Sequence, residues 1–177
     1  MTDLNIIINT CYETTKELRV IASYSHIIPI FLSLFLTIFV LIKAKFNLFS
    51  KVFSVFILTF SFWLIGDLFL WTNNNYYLIY SFWSPLVFIE IVAYVMGTYF
   101  ALLFIKKSDI NIFYKIILLL ITVPPFIITT IGKSVTGFNQ PMCEAYNNNF
   151  LDIYKLIVES FLLLVLLFFV IKPFILK

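Results

Sequence analysis

Four ionisable side chains lie inside long apolar runs of the sequence: His26, Asp67, Glu90 and Glu159. A carboxylate in hydrocarbon is costly, so it faces other helices, water or a ligand, and by default it marks a site. Counted at ~1.5 Å per helical residue, His26, Asp67 and Glu159 fall in one half of a bilayer crossing, and Glu90 falls near its middle. Lys155 precedes Glu159 by one helical turn, the spacing of an i,i+4 ion pair. Trp63 lies one turn from Asp67, deep enough to form a pocket wall. Trp71, Trp83 and the group Tyr76, Tyr77 and Tyr80 fit an interfacial aromatic belt instead. Two readings stay open. In one, Asp67, Glu90 and Glu159 line a polar cavity that binds a cation, a proton or a small polar ligand. In the other they form a hydrogen-bonded core that fixes helix packing, with Glu90 carried as a neutral acid. For His26 the packing role is the better explanation.

No other chemistry is written into the chain. It has no Gly-rich phosphate loop, no HExxH, no cysteine pair at metal-ligand spacing and no nucleophile elbow. A Schiff-base lysine would lie deep in a span, and Lys155 is too near a helix start. The expectation is therefore a protein that is not an enzyme, with no catalytic residues, metal or cofactor. A net charge of +3 is too small to argue for nucleic acid as a partner.

The elements that must position these residues are membrane helices. Of 177 residues, 62% are hydrophobic and only 12% charged; soluble domains carry about 25% charged residues. A chain of this kind needs the bilayer as solvent for much of its surface. Five apolar runs are long enough to cross a core of ~30 Å: about Val20 to Ile42, Val52 to Trp71, Tyr77 to Ile105, Ile112 to Ile131 and Leu151 to Ile171. The third is longer than a straight crossing needs, so it tilts or projects. Pro29 and Pro85 are expected to kink their helices, and Pro124-Pro125 to break or bend the fourth. A freed carbonyl in such a helix finds a donor on a neighbour. Gly97 and Ala101 form a small-xxx-small pair that permits close helix approach. Pro173 is a stop or hinge. The organisation expected is a polar leader over residues 1–19, with no cleavable signal peptide, and a five-span membrane domain over 20–177. Its longest loop, 132–149, is rich in Gly, Pro and Asn.

Basic residues set the orientation. With the N-terminus outside, the inner side holds Lys43, Lys45, Lys51, Lys106, Lys107, Lys115, Lys172 and Lys177. The outer side holds Lys16, Arg19, Lys133 and Lys155. The excess favours N-out, C-in. Cys11 and Cys143, the two cysteines of the chain, then share the outer, oxidising side. A disulfide between them would fasten the leader to the long loop; two free thiols too far apart to bridge are the alternative.

The basic link KAKFNLFSK follows the first span. After it come the amphipathic VFSVFILTFSFWLIGDLFLW, a third span rich in Phe, Trp and Tyr around Glu90, and a cysteine-bearing loop before IYKLIVESFLLLVLLFFVIK. This layout, Ser25 to Ile105 above all, resembles the N-terminal multi-spanning sensor region of prokaryotic membrane histidine kinases. Those regions usually have seven spans followed by cytoplasmic signalling domains, against five spans here. The resemblance implies a multi-pass inner (plasma) membrane sensor that binds a small ligand or lipid from outside. It would signal through the inner end of its last helix to a cytoplasmic kinase or similar partner. The rival expectations are a small, oligomeric transporter or channel using the intramembrane carboxylates, and a structural subunit of a membrane complex.

Overall fold

The computed structural model describes residues 16–43, 47–73, 76–139 and 144–175. Cys11 and Cys143, and with them the expected disulfide, lie outside the described residues, as does most of the polar leader. Five helices follow one another: α1 (Lys16–Lys43), α2 (Leu48–Thr72), α3 (Tyr76–Lys106), α4 (Ile112–Thr130) and α5 (Asn149–Ile175). Each contains a stretch long and apolar enough to cross a membrane. Large apolar side chains such as Phe31, Phe35, Phe104, Leu119 and Leu164 are more than half exposed on the outside of the bundle. That surface is what a lipid solvent would cover.

Asparagines start three of the helices. Asn47 Oδ1 accepts from the Ser50 N–H at 2.8 Å, Asn111 from Phe113 at 3.2 Å and Asn148 from Phe150 at 2.9 Å. Each removes an orphan donor at a helix N-terminus. Just past the C-cap Ile131 of α4, Gly132 has a φ of +69°, which lets it close a Schellman turn. The Lys133 N–H donates to Ile128 O, and the Gly132 N–H to Thr129 O, each at 3.2 Å.

Helix α3 is the axis of the bundle. Of its most apolar window 39% is buried, against 11% for α4 and for α5. Val87, Ile91, Val95 and Leu102 of α3 form one core with Leu118 of α4 and Val158 and Leu162 of α5. Toward the other side α3 meets α2, and α1 lies on α2. Close approach of α2 and α3 depends on glycine. A Cβ at Gly66 would come within 2.4 Å of Leu86, and one at Gly97 within 2.9 Å of the Phe56 ring. Phe100 fits against Phe49 and Phe53, with ring centroids 4.8 and 4.9 Å apart. The α1–α2 contact buries a serine pair, with Ser61 Oγ donating to Ser33 Oγ at 2.7 Å. On the α3–α4 link, Asp109 pairs with Lys115 at 2.5 Å. That ammonium holds the Asp109 carboxyl below the usual carboxylate range.

Two expectations need correction. Residues 132–149 are not all loop: β1 (Val135–Asn139) and β2 (Glu144–Asn147) form an antiparallel hairpin with an irregular register between Val135 and Gly137. It packs on the first third of α3, where Trp83 Nε1 donates to Asn147 Oδ1 at 2.8 Å and the Ser84 and Ser134 hydroxyls meet. The strands are too short, and too interrupted by glycine, for alternation to show in the sequence. Nor does Pro124-Pro125 break α4, which runs through both residues as one helix.

The reason α4 survives is visible beside it. Proline at 125 has no N–H for the carbonyl of Ile121. The Tyr154 hydroxyl of α5 donates to that same oxygen at 2.6 Å. The donor missing from one helix is supplied by another. Tyr154→Phe should therefore cost about 1 kcal/mol in a reversible unfolding titration in detergent micelles. Pro125→Ala, which restores the helix's own donor, should make the same Tyr154→Phe change nearly neutral. Equal costs in the two backgrounds would sever the link between the proline and the tyrosine.

Candidate functional site

The ionisable residues of the spans fall into two groups, and the first joins α3 to α5. Lys155 Nζ lies 2.7 Å from Glu90 Oε1 and 3.9 Å from Glu159 Oε1. The shorter distance is that of a charge-assisted hydrogen bond. Glu90 is the most enclosed of the three, 15% exposed, with Lys155 at 30% and Glu159 at 31%. Glu159 Oε1 itself is buried and has no hydrogen-bond partner. Two carboxyl groups thus share one ammonium, and with both ionised the cluster is one positive charge short. Tyr94, one turn inward from Glu90 on α3, lies within the field of all three.

The second group joins α1 to α2. His26 Nε2 lies 2.7 Å from Asp67 Oδ2, and the Ser25 hydroxyl is 3.0 Å from His26 Nδ1. His26 and Asp67 are 16% and 25% exposed. The pair joins α1 to α2 and serves as an interhelical clamp. Asp67 does not join the Lys155 cluster by contact.

Between α2, α3 and α5 lies a cavity of about 340 Å³. Trp63, Phe56 and Phe60 of α2 form one wall, Glu90, Tyr94 and Gly97 of α3 another, and α5 contributes Leu166. The volume is at the small end of the ligand-pocket range, ~300–1,000 Å³. Trp63, read from the sequence as a pocket wall, is there. A second cavity of about 440 Å³ lies between α3, α4 and α5 toward Tyr114 and Phe168, and none of its lining residues is charged. Among the described residues no group of three or more His, Cys, Asp or Glu side chains is placed to hold a metal ion.

The residue the sequence reading passed over is Lys155 as the partner of Glu90. Depth counting hid it. Glu90 is fourteen residues into α3 and Lys155 six into α5, a difference of ~12 Å in rise. Their contact means that the N-terminal end of α3 projects beyond the start of α5. The hairpin packs along that projecting turn. The expectation that the long third span tilts or projects was the available signal.

No family model, curated protein or solved structure matches the chain. The histidine-kinase likeness therefore rests on layout alone, and no residue role comes from homology.

The shared lysine makes the cluster asymmetric. Lys155→Met strands two carboxylates at once, and should cost about 2 kcal/mol, below the 3–5 of a fully buried pair because the groups keep some exposure. Glu90→Gln should cost clearly less, since Lys155 has Glu159 within a small swing. Unfolding in detergent measures both; equal losses would show that Lys155 cannot change partner.

Proposed function

We propose that the chain is a multi-pass membrane module that binds a small ligand in the cavity between α2, α3 and α5 and passes the event along α5. The observation that carries the reading is the position of the Glu90–Lys155 bridge. Its Glu90 end forms part of the wall of an aromatic cavity, and its Lys155 end ties α5 to α3. A ligand that alters the bridge alters how the two helices are held, which is what a sensor needs. The layout shared with histidine-kinase sensor regions points the same way, with the inner end of α5, at Lys172, facing a cytoplasmic signalling partner.

Five spans, N-out and C-in, in the plasma membrane, are the orientation that goes with this reading. Lys155 is engaged by Glu90, so it no longer counts as a free flanking charge on the outer side. Lys115, paired with Asp109, drops out by the same rule, which leaves Lys16, Arg19 and Lys133 outside against seven inside. A membrane-impermeant maleimide applied to intact cells tests both the orientation and the Cys11–Cys143 disulfide. Labelling should appear only after reduction. Labelling of both cysteines without reductant would remove the disulfide, and none after reduction would reverse the topology.

The binding reading is tested in nanodiscs. Small amphiphiles that fill the cavity should raise the melting temperature of the wild-type protein. They should fail to do so in Leu166→Trp, which grows a side chain into the same space. No stabilising ligand across a broad set of amphiphiles would count against the reading. The charged cluster also supports transport as a second reading, because a net negative group in a span is a counter-charge for a cation. Cation or proton flux into liposomes that vanishes in Glu90→Gln would put transport first.

A further inference from the structure

We infer that the ligand of this cavity is a small organic cation, an amine or quaternary ammonium group on an apolar body, whose charge takes over Glu90 and releases Lys155 to Glu159. The inference rests on the cavity being a ligand site and adds the chemical class and the response.

The first observation is the wall. Phe56, Phe60, Trp63 and Tyr94 bring four aromatic rings to one cavity of about 340 Å³, with the Glu90 carboxylate among them. Aromatic faces carry negative potential, and several around one space attract a cation, most strongly when it is partly desolvated. An anion would meet those faces and Glu90 as repulsion. A neutral apolar molecule would gain nothing from the carboxylate in that wall.

The second observation is the charge count. Glu90 and Glu159 share Lys155, so with both carboxyls ionised the cluster lacks one positive charge. The weaker share falls to Glu159: its buried Oε1 has no hydrogen-bond partner and stands 3.9 Å from Lys155 Nζ, and the donor Glu159 does find is the neutral Tyr94 hydroxyl. An added cation beside Glu90 makes the count even. Lys155 can then leave Glu90 and close the short gap to Glu159 on its own helix. Every carboxylate gains a partner, and no charge is left uncompensated. The interhelical bridge between α3 and α5 becomes a pair within α5. The cation thus distinguishes two arrangements that differ in how firmly α5 is held, and its differential affinity sets the shift.

The test uses a matched pair of probes, benzyltrimethylammonium and its uncharged carbon isostere neopentylbenzene. Equilibrium dialysis measures each against the full chain in nanodiscs, with protein-free nanodiscs subtracted. The wild type should favour the cation by about tenfold or more, from one uncompensated charge and the aromatic wall together. Glu159→Gln brings the cluster to neutrality without touching the cavity wall, and the ratio should fall toward one. Phe60→Leu, which keeps an apolar wall but removes a ring, should lower cation affinity several-fold and the isostere's less. It carries the test alone if Glu159→Gln does not fold. Equal binding of the two probes, or a cation preference that survives Glu159→Gln, overturns the cation assignment and leaves the cavity as an apolar ligand site. Binding of neither probe overturns the assignment together with the ligand-site reading.

Discussion

One ammonium between two carboxylates is the constraint around which the rest of the bundle is arranged. In an apolar slab an unpaired charge is costly, so Glu90 and Glu159 need Lys155, and Lys155 needs them. That requirement brings α5 to the face of α3 that carries Glu90, and it fixes the level at which they meet. The level in turn explains the extra length of α3: its N-terminal turns stand beyond the start of α5. The hairpin of residues 135–147 fills the space beside those turns, through Trp83 and Asn147. Apolar packing of Ile91, Val158 and Leu162 then secures a contact whose position the charges select.

The same logic applies to the backbone. Without water to complete hydrogen bonds, each missing donor in a span must be replaced by protein. Asparagine side chains do this at three helix starts, and the Tyr154 hydroxyl does it at the Ile121 carbonyl. Helix α5 thereby meets α4 through one hydroxyl and α3 through one lysine, both within its first two turns. Its remaining length carries mostly exposed apolar side chains, such as Leu164, Leu167 and Phe168. Its opposite face is held along its length, with Val158 and Leu162 in the core and Val165, Leu166 and Phe169 packed against it.

Much of this was legible in the sequence, and the gaps have physical causes. Five apolar runs became five helices because a span needs only length and hydropathy, both local properties. Capping and proline chemistry were partly legible: the rule that a neighbour repairs a proline's lost bond was available, but not that Pro125 and Tyr154 were the pair. Site residues were recognisable as intramembrane charges, while their partners were not. His26–Asp67 spans 41 residues and Glu90–Lys155 spans 65. No periodicity reports such distances. Helix-by-helix depth counting assumes that all helices start at one plane, and α3 does not. The hairpin was missed because two strands of five and four residues give alternation too little room.

The asymmetry of the shared lysine has a consequence for dynamics. An ion pair with a single partner has one ground state. Lys155 has two acceptors, one at hydrogen-bonding distance and one 3.9 Å away on its own helix. The bridge to Glu90 prevails here while Glu159 Oε1 goes unsatisfied. Such an arrangement is bistable in the sense that small changes in charge beside Glu90 decide which carboxylate wins. The His26–Asp67 pair ties α1 to α2 at 2.7 Å, while the choice between the two carboxylates lies with the groups of α3 and α5.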